Sequence, residues 1–420
     1  MRPKTLRVGL PGRRVGTLEQ GRSGLVTWAP DAAWEAAGQI PRLGVDFLRE
    51  PGAKRAATGL PPWFENLLPE AESTLRARLA AIHGVRETQS FALLAAAGAD
   101  LAGAVEIGVA TTSDSEPPSE SALGAGQDTE ERPLATPGDE ALRISSLAGM
   151  QLKFSMSMVN ERLALPARGR TGQWIVKFPG ERYPQIAEVE AATMTWAREA
   201  GFDVPAHRVV GIDRLEGLPA AWTTGVARVF AIRRFDRRDD GSRIHQEDLC
   251  QALRLPPLDK YGDREPRVSF AGAIRLVADV CGDGEGREMA RRMGFSIVAG
   301  NSDAHLKNWS LLWGASTRPK LTPCYDLVAT ISWPDQLGWG ARGGPAIALS
   351  IGGAGRFGHL TGDALARCQD QASLPWLASE VREGIRRARD AWSRVAPHAP
   401  ARMRDALAVH AEEVPLLRGA

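Results

Sequence analysis

A run of polar residues at positions 301–308, NSDAHLKN, carries side chains suited to phosphoryl transfer. Asp303 and Asn308 are five positions apart, which is the D-x-x-x-x-N spacing of a protein-kinase catalytic loop. In such a loop the aspartate accepts the proton of the acceptor hydroxyl, and the asparagine offers a neutral oxygen to magnesium. Gly300 ends the preceding helical pattern and an apolar stretch begins at Trp309, so the run is predicted to be a loop between two buried elements.

A second acid is needed to bridge the metal to the phosphates, and Asp326 is the candidate. It lies in CYDL, residues 324–327, directly after the next predicted strand. Magnesium takes few protein oxygens and completes its shell with phosphate oxygens and water, so Asn308 and Asp326 would suffice as protein ligands. The D-x-x-x-x-N spacing alone often occurs by chance, but a strand, a turn and an isolated acid after it strengthen the hypothesis.

A lysine upstream could hold the phosphates. Lys177 lies in the otherwise apolar segment WIVKF, residues 174–178, where a charge is costly unless it is paired. Glu190 lies on the following predicted helix, which repeats the strand-lysine and helix-glutamate pair of kinases. Glu188 is a competing partner, and a snorkelling lysine beside a solvated glutamate is the structural alternative.

Hydrophobic patterning predicts the elements that position these residues. A strand at 174–178, a helix at 187–200 and a strand at 228–235 indicate a small α+β lobe. Beyond residue 247 the pattern is mainly helical, with one short β element at 309–313 and 320–324. The predicted helices cover residues 247–253, 270–281, 285–299, 364–371, 376–395 and 401–413.

The first part of the chain is predicted to be a separate unit. Leu6, Val8 and Leu10 alternate with polar residues as in a strand, residues 72–82 have a helical pattern, and residues 91–110 fit a buried helix followed by a strand. Residues 111–139 are rich in Ser, Glu, Pro, Gly and Asp and lack aromatic residues, which predicts a flexible linker, with an ordered acidic loop as the alternative. The predicted units are residues 1–110, a linker at 111–141, an ATP-binding lobe at 142–240 and a helical lobe at 241–420.

Composition excludes several classes of protein. The 420 residues are 43% hydrophobic and 24% charged with a net charge of +2, which indicates a soluble globular chain and makes no case for nucleic acid as the main ligand. The four cysteines form no C-x-x-C pair, so neither a zinc knuckle nor a redox motif is expected. Residues 1–12 lack the apolar run of a signal peptide and no stretch reads as a membrane span, so a cytoplasmic location is expected.

Five segments together resemble the HipA family, and they occur in the family's order over roughly residues 1–335. The segments are GLPPWFENLLPE at 59–70, SLAGMQLK at 146–153, WIVKFP at 174–179, RFDR at 234–237 with HQEDLCQAL at 245–253, and residues 301–308 with Tyr325-Asp326. They correspond in turn to the signature of the N-terminal subdomain, the regulatory phosphate loop, the ATP-lysine strand, the hinge with the helix beyond it, and the catalytic and metal loops.

The resemblance implies an α+β, protein-kinase-like bilobal fold with an additional N-terminal α/β subdomain and a mainly helical C-terminal lobe. It implies ATP- and Mg²⁺-dependent phosphorylation of serine or threonine in a protein such as an aminoacyl-tRNA synthetase, which halts translation, and a small DNA-binding antitoxin of the HipB type as partner. DNA would be bound only indirectly, through that antitoxin. The implied roles are Asp303 as base, Asn308 and Asp326 as magnesium ligands, Lys177, Lys153 and His305 near the phosphates with Glu190 pairing the lysine, Phe235 and Tyr325 around the adenine, and Ser146 as the autophosphorylated residue.

This chain departs from the family pattern at a few positions. Leu152 stands where the regulatory loop often has glutamate, and Arg233 stands where a glutamate commonly precedes the hinge. Ser145 adjoins Ser146, so either serine could be the regulatory one. The long acidic segment also differs from the compact connection that the family implies.

Other functions were weighed against the kinase. Asn301, Asp303, His305 and Asn308 could bind two metals in a phosphoesterase, but the further His and Asp clusters of such sites are missing from the sequence. A small-molecule kinase of the same fold and a non-catalytic antitoxin-binding partner remain alternatives. GAGRFG at 353–358 matches G-x-G-x-x-G, but only helices follow it, so a glycine-rich turn is predicted there instead of a dinucleotide site.

Overall fold

The computed structural model describes residues 4–71, 73–98, 100–110, 152–166, 171–180, 182–264, 268–314, 318–336 and 343–418. The predicted linker at 111–141, and with it Ser145 and Ser146, lies outside these residues.

The N-terminal unit is an antiparallel five-stranded sheet covered by short helices, with strand order β4-β3-β2-β1-β5. Its strands are β1 Lys4–Leu10, β2 Arg13–Gln20, β3 Leu25–Pro30, β4 Arg55–Thr58 and β5 Glu106–Val109. Its helices are α1 Ala32–Ala36, α2 Val45–Arg49, α3 Pro62–Glu65, α4 Thr74–Ile82 and α5 Ser90–Ala97. The alternation of Leu6, Val8 and Leu10 buries all three side chains, as a strand with one face on a core requires.

A second, six-stranded sheet has the order β10-β7-β6-β8-β11-β9, and only the β10–β7 pair is parallel. Its elements are β6 Lys153–Val159, β7 Arg162–Ala164, β8 Trp174–Lys177, α6 Ile186–Glu199, β9 His207–Gly211, β10 Leu215–Glu216, α7 Ala220–Thr223 and β11 Arg228–Arg233. Strand β8 lies between β6 and β11, so Lys177 at its end is flanked by strands on both sides.

The rest of the chain is mainly helical. Its helices are α8 Leu249–Ala252, α9 Phe270–Cys281, α10 Asp283–Val298, α11 Gly362–Ala372, α12 Leu377–Val395, α13 Ala401–Glu413 and α14 Pro415–Arg418. Its strands are β12 His245–Asp248, β13 Ser310–Trp313 and β14 Lys320–Leu321, which form one antiparallel sheet, and the hairpin β15 Ala346–Ile351 and β16 Ala354–Arg356. Gly352 and Gly353 form the hairpin turn with φ values of +55° and +87°, so the glycine-rich turn is confirmed.

Some predicted boundaries are wrong for identifiable reasons. The helix predicted at 247–253 covers only Leu249–Ala252, because Asp248 and Gln251 form a capping box that starts it late. Arg254 then ends it with a φ of +59°. The strand predicted at 320–324 ends at Leu321, two residues before Pro323, which has no N–H for a ladder.

The units share hydrophobic cores. One core contains Val8 and Trp28 of the N-terminal sheet together with Phe154 and Val176 of the second sheet. Another joins α6 to α10, α12 and α13, where Trp196 packs edge-on against Phe295 at 5.2 Å between ring centroids. The two sheets and the helical part are therefore held by continuous apolar packing, which fixes the loops between them.

Candidate active site

The loop at 301–308 is closed by its own hydrogen bonds. The side-chain oxygen of Asn301 accepts from the Asp303 backbone N–H at 3.0 Å, and the Asn308 side-chain nitrogen donates to the Asp303 carbonyl at 2.8 Å. Because that bond uses the amide nitrogen of Asn308, its amide oxygen remains available to a cation. Asp303 and Asn308, paired by spacing in the sequence, are thus in direct contact.

The Asp303 carboxylate is 52% exposed and accepts a hydrogen bond from the Tyr261 hydroxyl at 3.2 Å. The surrounding protein partly desolvates it and raises the pKa of Asp303 above its usual value, while Lys260, the Tyr261 hydroxyl and Lys177 act in the opposite direction. A carboxylate that is accessible and more basic than usual suits a group that must accept a proton.

Lys177 is held between two carboxylates. Its ammonium donates to Glu190 Oε1 at 2.5 Å and also contacts Asp326. Glu190 and Lys177 are buried, while 29% of the Asp326 side chain is exposed. The competing candidate Glu188 instead lies 3.7 Å from Arg228. The lysine is therefore paired, and Glu190 is its helix partner.

Lys153 lies directly opposite Lys177 in the β6–β8 pairing. Its side chain is buried. Burial, and then repulsion from Lys177, lowers the pKa of Lys153 to about 7. Two lysines on neighbouring strands attract an anion to this point, and a bound polyphosphate would favour the charged form of Lys153.

Asp326 and Tyr325 lie on a turn that borders a cavity next to the 301–308 loop. Asp326 has a φ of +52°, a left-handed conformation that is uncommon for a residue other than glycine. The cavity is lined by Asn301, Asn308, Tyr325 and Asp326 among others. Two of the predicted metal ligands, an amide and a carboxylate, therefore border one space, and hard oxygen donors of this kind fit magnesium.

Tyr325 and Phe235 face each other with ring centroids 5.6 Å apart. The Tyr325 hydroxyl donates to the Lys307 carbonyl at 2.9 Å and lies 2.6 Å from the Ser310 hydroxyl. Burial raises the pKa of Tyr325, so it stays neutral. The structure thus brings together the two aromatic residues that the sequence analysis assigned to the adenine.

His305 is buried and neutral. Burial, aided by Lys260, lowers its pKa to about 3, and its ring packs edge-on against Tyr261 at 5.4 Å. Its Nε2 is 3.9 Å from Asp303 Oδ1. The phosphate contact expected of His305 stays a prediction, limited to a hydrogen bond from a neutral ring.

The N-terminal unit supports the loop at 301–308 through contacts that the sequence does not predict. Lys307 donates to the Asn66 side-chain oxygen and to Asp248, both at 2.7 Å. Lys260, beside the loop, donates to Glu70 at 2.8 Å. Asn66 and Glu70, like Glu65, are polar residues in the mainly apolar segment at 59–70, and that signal alone could have pointed to polar partners.

The hinge segment 234–237 is anchored by a buried charge cluster. Arg234 donates to Asp236 and to Asp100 of the N-terminal unit, both at 2.9 Å, and Arg237 donates to Asp100 at 3.1 Å. Burial alone would raise the pKa of Asp236, but the two arginines outweigh it and hold that pKa at about 2. Two cations and two anions balance one another, so the hinge is fixed to the N-terminal unit.

Two features are absent from the described residues. Within these ranges no three His, Cys, Asp or Glu side chains gather where they could hold a metal ion. In the same part of the chain, no helix combines the length and apolar character needed to cross a membrane. The four cysteines are buried and unpaired.

Known proteins match nearly the whole length of the chain. A family model described as HipA-like C-terminal domain matches residues 145–401, and one described as HipA N-terminal domain matches residues 6–108. The chain is 34% identical over 427 residues to "Putative kinase Y4dM" of Sinorhizobium fredii, with 98% of each chain covered. It is 28% identical to "Serine/threonine-protein kinase toxin HipA" of Shewanella oneidensis, over 64% of this chain and 63% of that protein.

A solved complex of HipA, HipB and operator DNA from Shewanella oneidensis has the same fold, with a TM-score of 0.70 at 22% identity over 98% of this chain and 96% of that one. This likeness confirms the predicted fold class, an α+β kinase-like fold with an added N-terminal unit.

Proposed function

This chain belongs to the HipA family, and we propose that it is an ATP- and Mg²⁺-dependent serine/threonine protein kinase that acts as the toxin of a toxin–antitoxin pair. The observation that carries the proposal is the position of Lys177, which contacts both Glu190 and Asp326. This arrangement gathers a phosphate-binding cation, its helix partner and a candidate metal ligand at one point, as kinases require.

Asp303 is the proposed base. It takes the proton of the acceptor hydroxyl while that oxygen bonds to the γ-phosphorus and the bond to the β–γ bridging oxygen breaks, which releases ADP. Lys177 and Lys153 bind the phosphates by charge, and Phe235 and Tyr325 border the adenine. His305 offers a hydrogen bond to a phosphate oxygen.

Asn308 and Asp326 would hold the magnesium ion, and both residues line one cavity. When bound, magnesium neutralises charge on the β- and γ-phosphates. A two-metal phosphoesterase is less well supported, because no cluster of three acidic, His or Cys side chains gathers in the described ranges.

Ser146 is the proposed autophosphorylated residue, with Ser145 as the alternative. Both lie outside the described residues, and the proposal rests on the resemblance of residues 146–153 to a regulatory loop. A phosphoserine carries nearly two negative charges, which would compete with bound nucleotide for the lysines or be repelled from it.

The proposed partner is a small DNA-binding antitoxin of the HipB type. The support is that this chain shares its fold with the HipA of a solved complex that also contains HipB and operator DNA. DNA is contacted only through that partner. We propose a translation component, such as an aminoacyl-tRNA synthetase, as the protein substrate. The proposed location is the cytoplasm, where the chain would meet both the antitoxin and this substrate.

The first experiment measures transfer of label from γ-labelled ATP with magnesium, for wild type and Asp303→Asn, alone and with a phosphatase-treated bacterial lysate. We expect phosphate on Ser146 and on one lysate protein, both absent with Asp303→Asn. A wild type that binds ATP, carries no phosphate at Ser145 or Ser146 and still transfers nothing would overturn the kinase and favour a non-catalytic antitoxin partner.

A further inference from the structure

A tyrosine outside the assigned site touches the proposed base. Among the described residues, the Tyr261 hydroxyl is the only group that donates a hydrogen bond to the Asp303 carboxylate, through Oδ1 at 3.2 Å. The second carboxylate oxygen is left for an acceptor hydroxyl. Tyr261 is 39% exposed, so its ring borders the solvent space that an acceptor chain must enter to reach Asp303.

The turn that carries Tyr261 is fixed to the catalytic loop. The Lys260 carbonyl accepts from the Leu306 backbone N–H at 2.9 Å. Gly262 follows with a φ of +64°, and a Cβ there would lie 2.2 Å from the Val268 carbonyl oxygen, so only glycine fits. The backbone therefore sets the distance between Tyr261 and Asp303 closely.

The N-terminal unit fixes the same turn from the other side. Glu70 accepts from the Lys260 ammonium at 2.8 Å, and both side chains are buried. The Lys260 ammonium also lies 5.1 Å from the centroid of the Tyr261 ring, within cation–π range. Contacts thus run without a gap from Glu70 through Lys260 and Tyr261 to Asp303.

We propose that Tyr261 is a positioning residue of the acceptor site, which orients the Asp303 carboxylate, and that Glu70 of the N-terminal unit acts on the reaction by holding Tyr261 through Lys260. The proposal rests on the proposed kinase function. The N-terminal unit then takes part in phosphoryl transfer, because it fixes the orientation of the Asp303 carboxylate toward the acceptor hydroxyl.

The test compares Tyr261→Phe, Glu70→Gln and the double variant by label transfer from γ-labelled ATP with magnesium to a phosphatase-treated bacterial lysate. Tyr261→Phe keeps the ring and removes only the hydroxyl, so we expect the maximal rate to fall about tenfold, as for loss of a hydrogen bond to a charged group. The KM for ATP should stay within about twofold, because the nucleotide contacts are unchanged.

Glu70→Gln should lower the maximal rate less, by about threefold, and should have no further effect in the Tyr261→Phe background, because it acts through the tyrosine. Two matched controls are available. Tyr183→Phe removes a hydroxyl that has no hydrogen bond among the described residues, and Glu65→Gln removes the half-buried carboxylate that pairs with the buried Arg76 and comes from the same N-terminal segment. Both controls should transfer phosphate at the wild-type rate per folded molecule.

Thermal melting of each variant gives the folded fraction. A Tyr261→Phe rate within about twofold of wild type, with Asp303→Asn inactive, overturns the role of Tyr261. If Glu70→Gln lowers the maximal rate by the same factor in the wild-type and Tyr261→Phe backgrounds, the role of Glu70 is overturned. A wild type that binds ATP, carries no phosphate at Ser145 or Ser146 and still transfers none overturns the kinase function itself, and this inference with it.

Discussion

The side-chain oxygen of Asn66 accepts a hydrogen bond from the Lys307 ammonium at 2.7 Å, although the two residues are 241 positions apart. Lys307 is buried and contacts Asp248 at the same distance. The N-terminal unit therefore contributes to the inner support of the catalytic loop, since a buried ammonium needs several polar partners to offset its desolvation.

Asn66→Ala is expected to destabilise the chain by about 1–3 kcal/mol, because it leaves a buried charged donor short of a partner. The free energy of unfolding in urea measures this. The loss should shrink when Asn66→Ala is combined with Lys307→Met, which removes the unsatisfied donor. An equal loss in both backgrounds would show that Asn66 acts only through its other side-chain bonds, to the Pro62 and Leu255 carbonyls.

Lys177→Met should abolish ATP-dependent transfer and also destabilise the fold by about 3–5 kcal/mol, because Glu190 is left buried without a cation. The double variant Lys177→Met with Glu190→Gln should recover much of that stability but no activity. Glu188→Gln is the matched control: its partner Arg228 is exposed, so the change should be below about 1 kcal/mol. Full stability of Lys177→Met alone would contradict the buried pair.

Magnesium should couple to ATP binding through Asp326. At a free ATP–Mg²⁺ concentration a hundredfold above Kd, we expect about 2.7 kcal/mol of stabilisation, read as a rise in melting temperature. Removal of magnesium with EDTA should reduce the ATP-induced rise in melting temperature of the wild type. The ATP-induced rise of Asp326→Asn should be the same with and without EDTA. The exposed Asp335 offers a control, and Asp335→Asn should respond to metal as wild type does. A metal-dependent rise in Asp326→Asn would remove Asp326 from the ligand set.

Acid should destabilise the chain through His410. The ring is buried and its Nε2 donates to the Ile297 carbonyl at 2.8 Å. Burial lowers its pKa from 6.5 to about 4, so between these values the unfolded chain binds one more proton than the folded chain. Stability should therefore fall as the pH drops through that window.

Urea unfolding of wild type and His410→Gln at pH 7 and pH 5 measures this effect. The glutamine keeps a donor near the Nε2 position but does not titrate, so its loss of stability on acidification should be smaller by about 1–2 kcal/mol. Equal losses in the two proteins would show that His410 is protonated without cost in the folded chain.

Much of the fold followed from the sequence because local patterns dictate it. The helices Phe270–Cys281 and Ala401–Glu413 were predicted with the observed bounds. Where boundaries were wrong, as at residues 247–253, a capping box and a left-handed residue ended the pattern, and hydrophobic periodicity does not register such polar backbone interactions.

By itself, the sequence determined which residue types could act and their order: Asp303 with Asn308 by spacing, and Lys177 by its costly place in an apolar strand. The tertiary structure decided the pairings, namely Glu190 over Glu188 for Lys177, Asn66 for Lys307 and Tyr261 for Asp303. Spacing along the chain predicts contacts only within an element or a short loop. Partners 13 to 241 positions apart, on different elements, are set by how the packed cores bring those elements together.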